Sequence, residues 1–224
     1  MGRRSIESDV LEFCGWKFLV ELVKKSPSDR HRAVCSALFI TGCRVSELSM
    51  LRKSNVVTDY LDRNLLLFIN VPVEKCKGRR RTRTFPVRAD EPLVPVFLDW
   101  VRRVDGRALF PWNRVTLYNI VRSAGKSVNS KIPFSMIHSS QLYPHWFRAQ
   151  RAKQLRLEYD FSDENLRDWF GWTYTDSGNR MPAVYGGYGW MTLAKKMGID
   201  VQSIFGVGGR QFVRTQAPYN RVGS

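Results

Sequence analysis

The sequence predicts a mainly α-helical protein with one small antiparallel β-sheet, an α+β fold in a single compact domain of about 200 residues. Apolar residues recur at helical spacing in several segments that end at glycine or proline. One strand-like run, residues 65–73, is followed by a basic segment, 74–87, that predicts a β-hairpin. With 43% apolar residues among 224, the chain can bury a sizeable core.

The N-terminal part of the chain predicts three helices in succession. The first begins near Asp9 and ends before Pro27, and the second, 30–40, stops at Gly42. The third, 46–51, follows at once with a polar N-cap. The tip of the predicted hairpin is almost wholly basic. Beyond the hairpin, further helices are expected. They are residues 93–104, 115–124 (ending at Gly125), 144–158 and 163–171, with a polar loop at 125–140.

The net charge of +16, with a pI near 10.1, indicates a polyanionic partner. Nucleic acid is the first candidate and an acidic membrane surface the second. No apolar run is long enough to cross a bilayer, and the N-terminal stretch MGRRSIESDV lacks the apolar centre of a signal peptide. The sequence therefore predicts a cytoplasmic protein that acts on nucleic acid.

The cysteines and histidines follow no metal-binding spacing. They are Cys14, Cys35, Cys43 and Cys76, with His31, His138 and His145. No pair has the short spacing typical of a zinc site, and a chain of this length needs no disulfides to fold. The sequence therefore predicts buried free thiols and a chemistry without a protein-bound metal or cofactor.

Two segments place arginine where it can meet a phosphate. Arg44 lies between a helix end and a helix start, beside exposed helix N–H groups; alternatively, it is a surface arginine paired with Glu47. His145 and Arg148, three residues apart, share one face of the first turn of a helix. Alternatively, both belong to a solvated basic face that continues along that helix.

Lysine and tyrosine supply the remaining candidates. Lys75 and Lys77 precede a run of arginines in the hairpin, and such a tip by itself predicts phosphate contacts without a catalytic role. Tyr185 and Tyr188 lie in a glycine-rich segment, RMPAVYGGYGW. Taken alone, that segment predicts two rings that fill a gap beneath a turn.

Together and in this order, the motifs resemble the catalytic domain of the tyrosine recombinases, the phage-integrase family, from about Ile6 to Tyr185. TGCRVSEL resembles the segment with the family's first catalytic arginine, and HWFR resembles its His-x-x-Arg motif. DWFGW resembles the segment that ends in Gly-His or Gly-Trp. MPAVY resembles the nucleophile helix, particularly in archaeal and archaeal-viral integrases. The resemblance implies catalytic roles for Arg44, Lys75, His145, Arg148, Trp172 and Tyr185.

Two of these assignments have alternatives. The resemblance implies that Tyr185 is the nucleophile and that Tyr188 is a packing residue or a DNA contact. Lys75 best matches the start of the family's hairpin motif, for which Pro86 is the landmark. Lys77 lies two residues further on and points to the same face of the strand.

The resemblance implies a protein that cleaves and rejoins double-stranded DNA at specific sites. The intermediate is expected to be a 3′-phosphotyrosyl link formed without metal or ATP. The working form is expected to be a homotetramer on DNA, with a monomer possible when free. Two other interpretations use the same residues: a type IB topoisomerase, and a DNA-binding protein without catalysis.

The resemblance also predicts the domain organisation. Residues 6–190 would form the catalytic domain, and 191–224 a C-terminal tail that packs on its own domain or on a neighbouring protomer. Family members generally carry an N-terminal helical domain that closes around the DNA. No room for it exists before Ile6, so the sequence predicts that the chain lacks it.

Overall fold

The structure, a computed structural model, describes residues 12–61, 64–76, 79–171 and 190–199. The helices are α1 (Trp16–Lys25), α2 (Asp29–Thr41), α3 (Val45–Ser49), α4 (Val94–Arg103), α5 (Arg114–Val128), α6 (Pro144–Tyr159), α7 (Asp163–Phe170) and α8 (Trp190–Lys196). The strands are β1 (Val56–Leu61), β2 (Asn64–Cys76) and β3 (Arg79–Arg88). The architecture is therefore the predicted one, mainly helical with one small antiparallel sheet.

Helix α2 forms the centre of the helical core. Its residues from Ala33 to Thr41 are all buried, and α4, α5 and α6 pack around it. A helix in that position must be apolar on every side, as the segment AVCSALFIT nearly is. Gly42 then adopts a left-handed conformation, with φ of 60°, that stops the helix and turns the chain towards α3. This turn presents Arg44.

The strands pair in the order β1–β2–β3, all antiparallel. Ile69 of β2 lies opposite Phe85 of β3, and both side chains are buried in the core together with Val87. The β2–β3 hairpin confirms the prediction for residues 65–87, although residues 77–78 at its tip lie outside the described residues. Strand β1 was not predicted, because VVTDYL is short and its apolar alternation is interrupted.

The start of α1 differs from the prediction. The helix begins at Trp16, whereas the sequence favours a start near Asp9, which lies outside the described residues. Gly15, with φ of 82°, is the N-cap, so the residues just before it are not helical. Leu19 and Leu22 on the buried face of α1 pack into the core.

Helix α5 is longer than predicted. It continues through Gly125 to Val128 and ends at Asn129, which takes the left-handed conformation expected of a C-cap. Gly125 lies inside the helix because the chain packs closely against it: a Cβ atom there would be 1.9 Å from the carbonyl oxygen of Ser139. The glycine is required by packing and does not end the helix.

Helix α8 packs against β3 of the same chain. Leu193, Ala194 and Met197 are buried there, and Nη1 of Arg88 donates to the carbonyl oxygen of Met197 at 3.1 Å. Residues 190–199 therefore contact the sheet of the same chain, and residues 200–224 lie outside the described residues.

Candidate active site

Arg44 occupies the N-cap position of α3, directly after the turn at Gly42. The turn requires glycine, because a Cβ atom at position 42 would lie 2.4 Å from ring carbon Cε1 of Phe170. The side chain of Arg44 is 46% exposed. Close packing thus fixes the backbone of Arg44, while its guanidinium remains accessible to a ligand.

Glu47, in the first turn of α3, supplies a buried carboxylate. Its Oε2 accepts from the backbone N–H of Arg44 at 2.8 Å and from Nη2 of Arg83 at 2.6 Å. Its Oε1 accepts from Nη1 of Arg44 at 3.3 Å. The Arg44–Glu47 pair considered from the sequence is therefore present. However, the carboxylate is fully buried and holds two arginines, so the pair is not an isolated surface contact.

Arg148 lies inside the domain, near the start of α6, with 2% of its surface exposed. Nη1 donates to the carbonyl oxygen of Gly42 and Nη2 to that of Phe170, both at 2.7 Å. The guanidinium also lies over the Phe170 ring, 4.6 Å from its centroid. Arg148 is therefore not part of a solvated basic face.

His145 and Arg44 line one pocket with a volume of about 520 Å³. The turn before α3 forms one wall, the first turn of α6 another, and the start of α5 contributes Arg114 and Tyr118. The fold therefore brings the Arg44 motif and the His145–Arg148 motif to one place.

The site concentrates positive charge. Burial and the guanidinium groups of Arg83 and Arg44 lower the pKa of Arg148 to about 9, so Arg148 stays charged at neutral pH. Desolvation and the charges of Arg148 and Arg44 lower the pKa of His145. His145 is exposed in the pocket, where the charges of Arg148 and Arg44 act on it. The imidazole is neutral at pH 7, and a bound anion would relieve the repulsion between the arginines.

Arg83 of β3 is a residue of this cluster that the sequence analysis did not single out. It donates to Glu47 through Nη2, and its Nη1 donates to the carbonyl oxygen of Phe170, which also accepts from Arg148. A signal for it existed in the sequence. Residues two apart on a strand share a face, so the apolar Phe85 predicts that Arg83 also points inward.

The remaining predicted site residues are described in part. Lys75 lies in β2, on the strand that leads to the hairpin tip. Lys77, Trp172, Tyr185 and Tyr188 lie outside the described residues. The structure thus brings Arg44, His145 and Arg148 together and gives the strand position of Lys75.

Cysteine, histidine and carboxylate side chains form no metal cluster in the described part of the chain, where no group of three or more is placed to hold an ion. Burial raises the pKa of Cys35, and that of Cys43 in the pocket wall, to about 12. Neither thiol is therefore a nucleophile at neutral pH. Among the described helices, none combines the length and the apolar character needed to span a bilayer.

No model of a known protein family matches the sequence, and a comparison with curated proteins found no match. Solved structures are similar in fold. XerH site-specific recombinase bound to palindromic difH substrate, a post-cleavage complex, gives a TM-score of 0.54 at 13% identity, over 88% of this chain and 52% of that one. The pre-cleavage XerH complex with difH gives 0.53 at 15% identity, over 74% and 48%. XerA recombinase gives 0.49 at 23% identity, over 77% and 60%.

The two XerH structures establish the fold. The described helices and sheet form a tyrosine-recombinase-like catalytic-domain fold, as the sequence predicts. The chain spans about half the length of the XerH structures that it matches.

Proposed function

We propose that this protein is a site-specific recombinase that cleaves and rejoins DNA strands through a 3′-phosphotyrosyl intermediate. One observation carries the proposal: on this fold, Arg44, His145 and Arg148 form a single basic cluster. Their two motifs are joined directly, because Arg148 donates to Gly42 across 106 positions of sequence. Each motif by itself leaves an alternative open in the sequence, so their meeting on this fold supports a shared role.

The cluster suits phosphoryl transfer. In that reaction negative charge spreads over the non-bridging oxygens of the phosphate, and guanidinium groups stabilise it as paired donors. Arg44 and Arg148 would hold these oxygens. His145, neutral at pH 7, would donate one further hydrogen bond. The burial of Arg148 strengthens its interaction with the phosphate, since screening by water is weak there.

Tyr185 is the proposed nucleophile. Its phenol loses its proton to solvent, which the surrounding positive charge favours, and the phenolate oxygen attacks phosphorus. The bond between phosphorus and the 5′ oxygen breaks, and a hairpin lysine, Lys75 or Lys77, gives a proton to that oxygen. Trp172 would donate to the phosphate through its indole N–H, which can orient the group but cannot accept a proton. Attack by a 5′ hydroxyl on the phosphotyrosine reverses the step, so the strand is rejoined without ATP.

A basic stripe leads away from the pocket along one face of α5. Arg114 and Tyr118 line the pocket, and Arg122 and Lys126 continue at four-residue spacing beside it. At about 1.5 Å per residue, the stripe extends over roughly 18 Å. Residues 106–157 of the sequence include no acidic residue. This surface would bind the phosphates of duplex DNA.

The proposed working form is a homotetramer that holds two duplexes, because strand exchange needs two sites and two cleaved strands in each. Because MPAVY resembles the nucleophile helix of archaeal and archaeal-viral integrases, we further propose that the strand exchange integrates or excises mobile DNA.

Covalent capture on nicked DNA tests the proposed function. The probe is a pool of duplexes with random sequence on both sides of a single nick, so that the fragment released by cleavage diffuses away and the tyrosyl link persists. We expect adducts that survive SDS. Mass spectrometry should locate the attached DNA on Tyr185. Tyr185→Phe should bind the same duplexes and form no adduct, whereas the control Tyr188→Phe should still form one.

Other outcomes separate the competing functions. An adduct on Tyr188 would reassign the nucleophile. Binding without any adduct would indicate a DNA-binding protein without catalysis. Relaxation of supercoiled plasmid, with no exchange between two captured sites, would indicate a type IB topoisomerase.

A further inference from the structure

Arg83 connects the β2–β3 hairpin to the rest of the candidate site. It lies on β3 opposite Val71 of β2, and its side chain is 11% exposed. Nη2 donates to Oε2 of Glu47 at 2.6 Å, and Nη1 donates to the carbonyl oxygen of Phe170. One guanidinium therefore joins three parts of the chain: the hairpin, the start of α3 and the end of α7.

Both acceptors also hold a proposed phosphate-binding residue. Glu47 accepts from Arg44, and the Phe170 carbonyl accepts from Arg148. Gly171 leaves the space that Arg83 fills, because a Cβ atom at position 171 would lie 2.9 Å from Nη1 of Arg83. The position of the hairpin is thus tied to both arginines of the site through one side chain.

Stability alone explains this arginine poorly. Burial lowers the pKa of Arg83, and the charge of Arg44 lowers it further, while Glu47 opposes both. The charged form is therefore costly to bury, and packed apolar side chains in place of a buried ion pair are often as stable or more so. A guanidinium fork, in contrast, fixes both the direction and the distance of its acceptors.

We infer that Arg83 is a positioning residue that sets Lys75, on the paired strand β2, relative to Arg44 and Arg148. The inference rests on the proposed function, in which that lysine protonates the departing 5′ oxygen. A general acid acts only within hydrogen-bond reach of the atom that it protonates. A displacement of about 1 Å can lower a rate on the order of 10²-fold.

The test uses a substrate whose leaving group needs no proton. Sulfur in place of the bridging 5′ oxygen of the cleaved phosphate departs as a thiolate when the bond from phosphorus to sulfur breaks. Single-turnover cleavage of the oxygen and sulfur duplexes is measured on a site recovered from the capture pool. We expect Arg83→Met to cleave the oxygen duplex on the order of 10²-fold more slowly than wild type and the sulfur duplex within a few-fold of wild type.

Two further variants serve as controls. Arg88→Met is matched to Arg83→Met, because Arg88 lies on the same strand but pairs with Asp90. It should change neither rate. Arg148→Ala should slow the cleavage of both duplexes alike, since the non-bridging oxygens are the same in each.

If Arg83→Met slows cleavage of both duplexes equally while the wild type is active, the inference is overturned and the proposed function stays in place. A wild-type protein that cleaves neither duplex would overturn the proposed function and the inference with it. Circular dichroism and urea unfolding establish whether Arg83→Met folds. If Arg83→Met does not fold, Arg83→Lys is tested in its place. Its cleavage rate on the oxygen duplex must then fall more than its cleavage rate on the sulfur duplex.

Discussion

Arg151 and Glu91 form an ion pair that is buried on both sides, with 2.7 Å between Nη1 and Oε2. Burial raises the pKa of Glu91, and Arg151 opposes that shift. We expect Arg151→Met to lower the free energy of unfolding by about 3–5 kcal/mol, because it leaves a buried carboxylate without its partner. Urea denaturation measures this change.

The matched control for that prediction is an exposed pair on the same helix. Arg156→Met removes the contact between Arg156 and Asp163, and it should cost less than about 1 kcal/mol. Adding Glu91→Gln to Arg151→Met should recover much of the loss, since no buried charge remains. Equal losses for the buried and the exposed pair would contradict the prediction.

Gly125→Ala should destabilise the protein, although alanine is favoured over glycine inside a helix by about 1 kcal/mol. The added Cβ would lie 1.9 Å from the backbone oxygen of Ser139, which cannot rotate away as a side chain can. We expect a loss of about 1–3 kcal/mol in urea denaturation. Gly106→Ala, with its nearest atom at 3.9 Å, should stay within about 0.5 kcal/mol of wild type. A stabilised Gly125→Ala protein would contradict the close packing.

Arg122→Gln should weaken binding to duplex DNA of any sequence and make it less sensitive to salt. If Arg122 contacts one phosphate, the slope of log affinity against log salt should fall in magnitude by about 0.9. Fluorescence anisotropy across a salt series measures the slope. Arg103→Gln is the control, because Asp29 and Asp99 hold Arg103. An equal change in both slopes would mean that total charge, and not the α5 stripe, sets the affinity.

Cleavage should continue in excess EDTA, because guanidinium groups supply the positive charge in the proposed mechanism. Arg148→Ala should lower the single-turnover rate on the order of 10²-fold or more, as expected for a preorganised donor to the transition state. The rate of adduct formation on a captured site measures both effects. A strict magnesium requirement for the cleavage step would contradict the mechanism and favour a metal-dependent nuclease.

His145 should make the folded protein less stable as the pH falls. Its pKa is lowered in the folded state by desolvation, Arg148 and Arg44, so below the ordinary value of 6.5 the unfolded chain takes up the proton first. Stability is therefore lost from pH 6.5 downwards until the folded-state pKa is reached. His145→Gln should show a smaller fall in Tm between about pH 7 and 5 than wild type. A larger fall in Tm for the variant would mean that folding raises the pKa of His145, opposite to the direction assigned here.

The sequence predicts best those features that local chemistry determines. Gly42 and Gly171 end α2 and α7 in the left-handed conformation, and Pro144 begins α6, as expected from residue type alone. The same holds for the closeness of His145 and Arg148, since residues three apart are neighbours on a helix and the charge of Arg148 acts on His145.

The features that were missed depend on contacts between distant parts of the chain. Gly125 resembles a helix end until the backbone of Ser139 is seen against it. Arg83 resembles one more basic residue of the hairpin until Glu47, 36 positions away, is seen to accept its hydrogen bond. Strand β1 is recognised as a strand only through its pairing with β2. No local pattern contains this information.

The contacts that orient Arg148 also determine when the site can first exist. Its two carbonyl partners lie 106 residues before it and 22 residues after it, and Arg83 joins Phe170 across 87 residues. Contacts of such high sequence separation form late, after the entropy of closing long loops has been lost. On the ribosome, a growing chain that ends before Phe170 lacks the acceptor shared by Arg148 and Arg83. We therefore expect the basic pocket to be assembled among the last steps of folding, and a truncated product to carry its arginines without their fixed orientation.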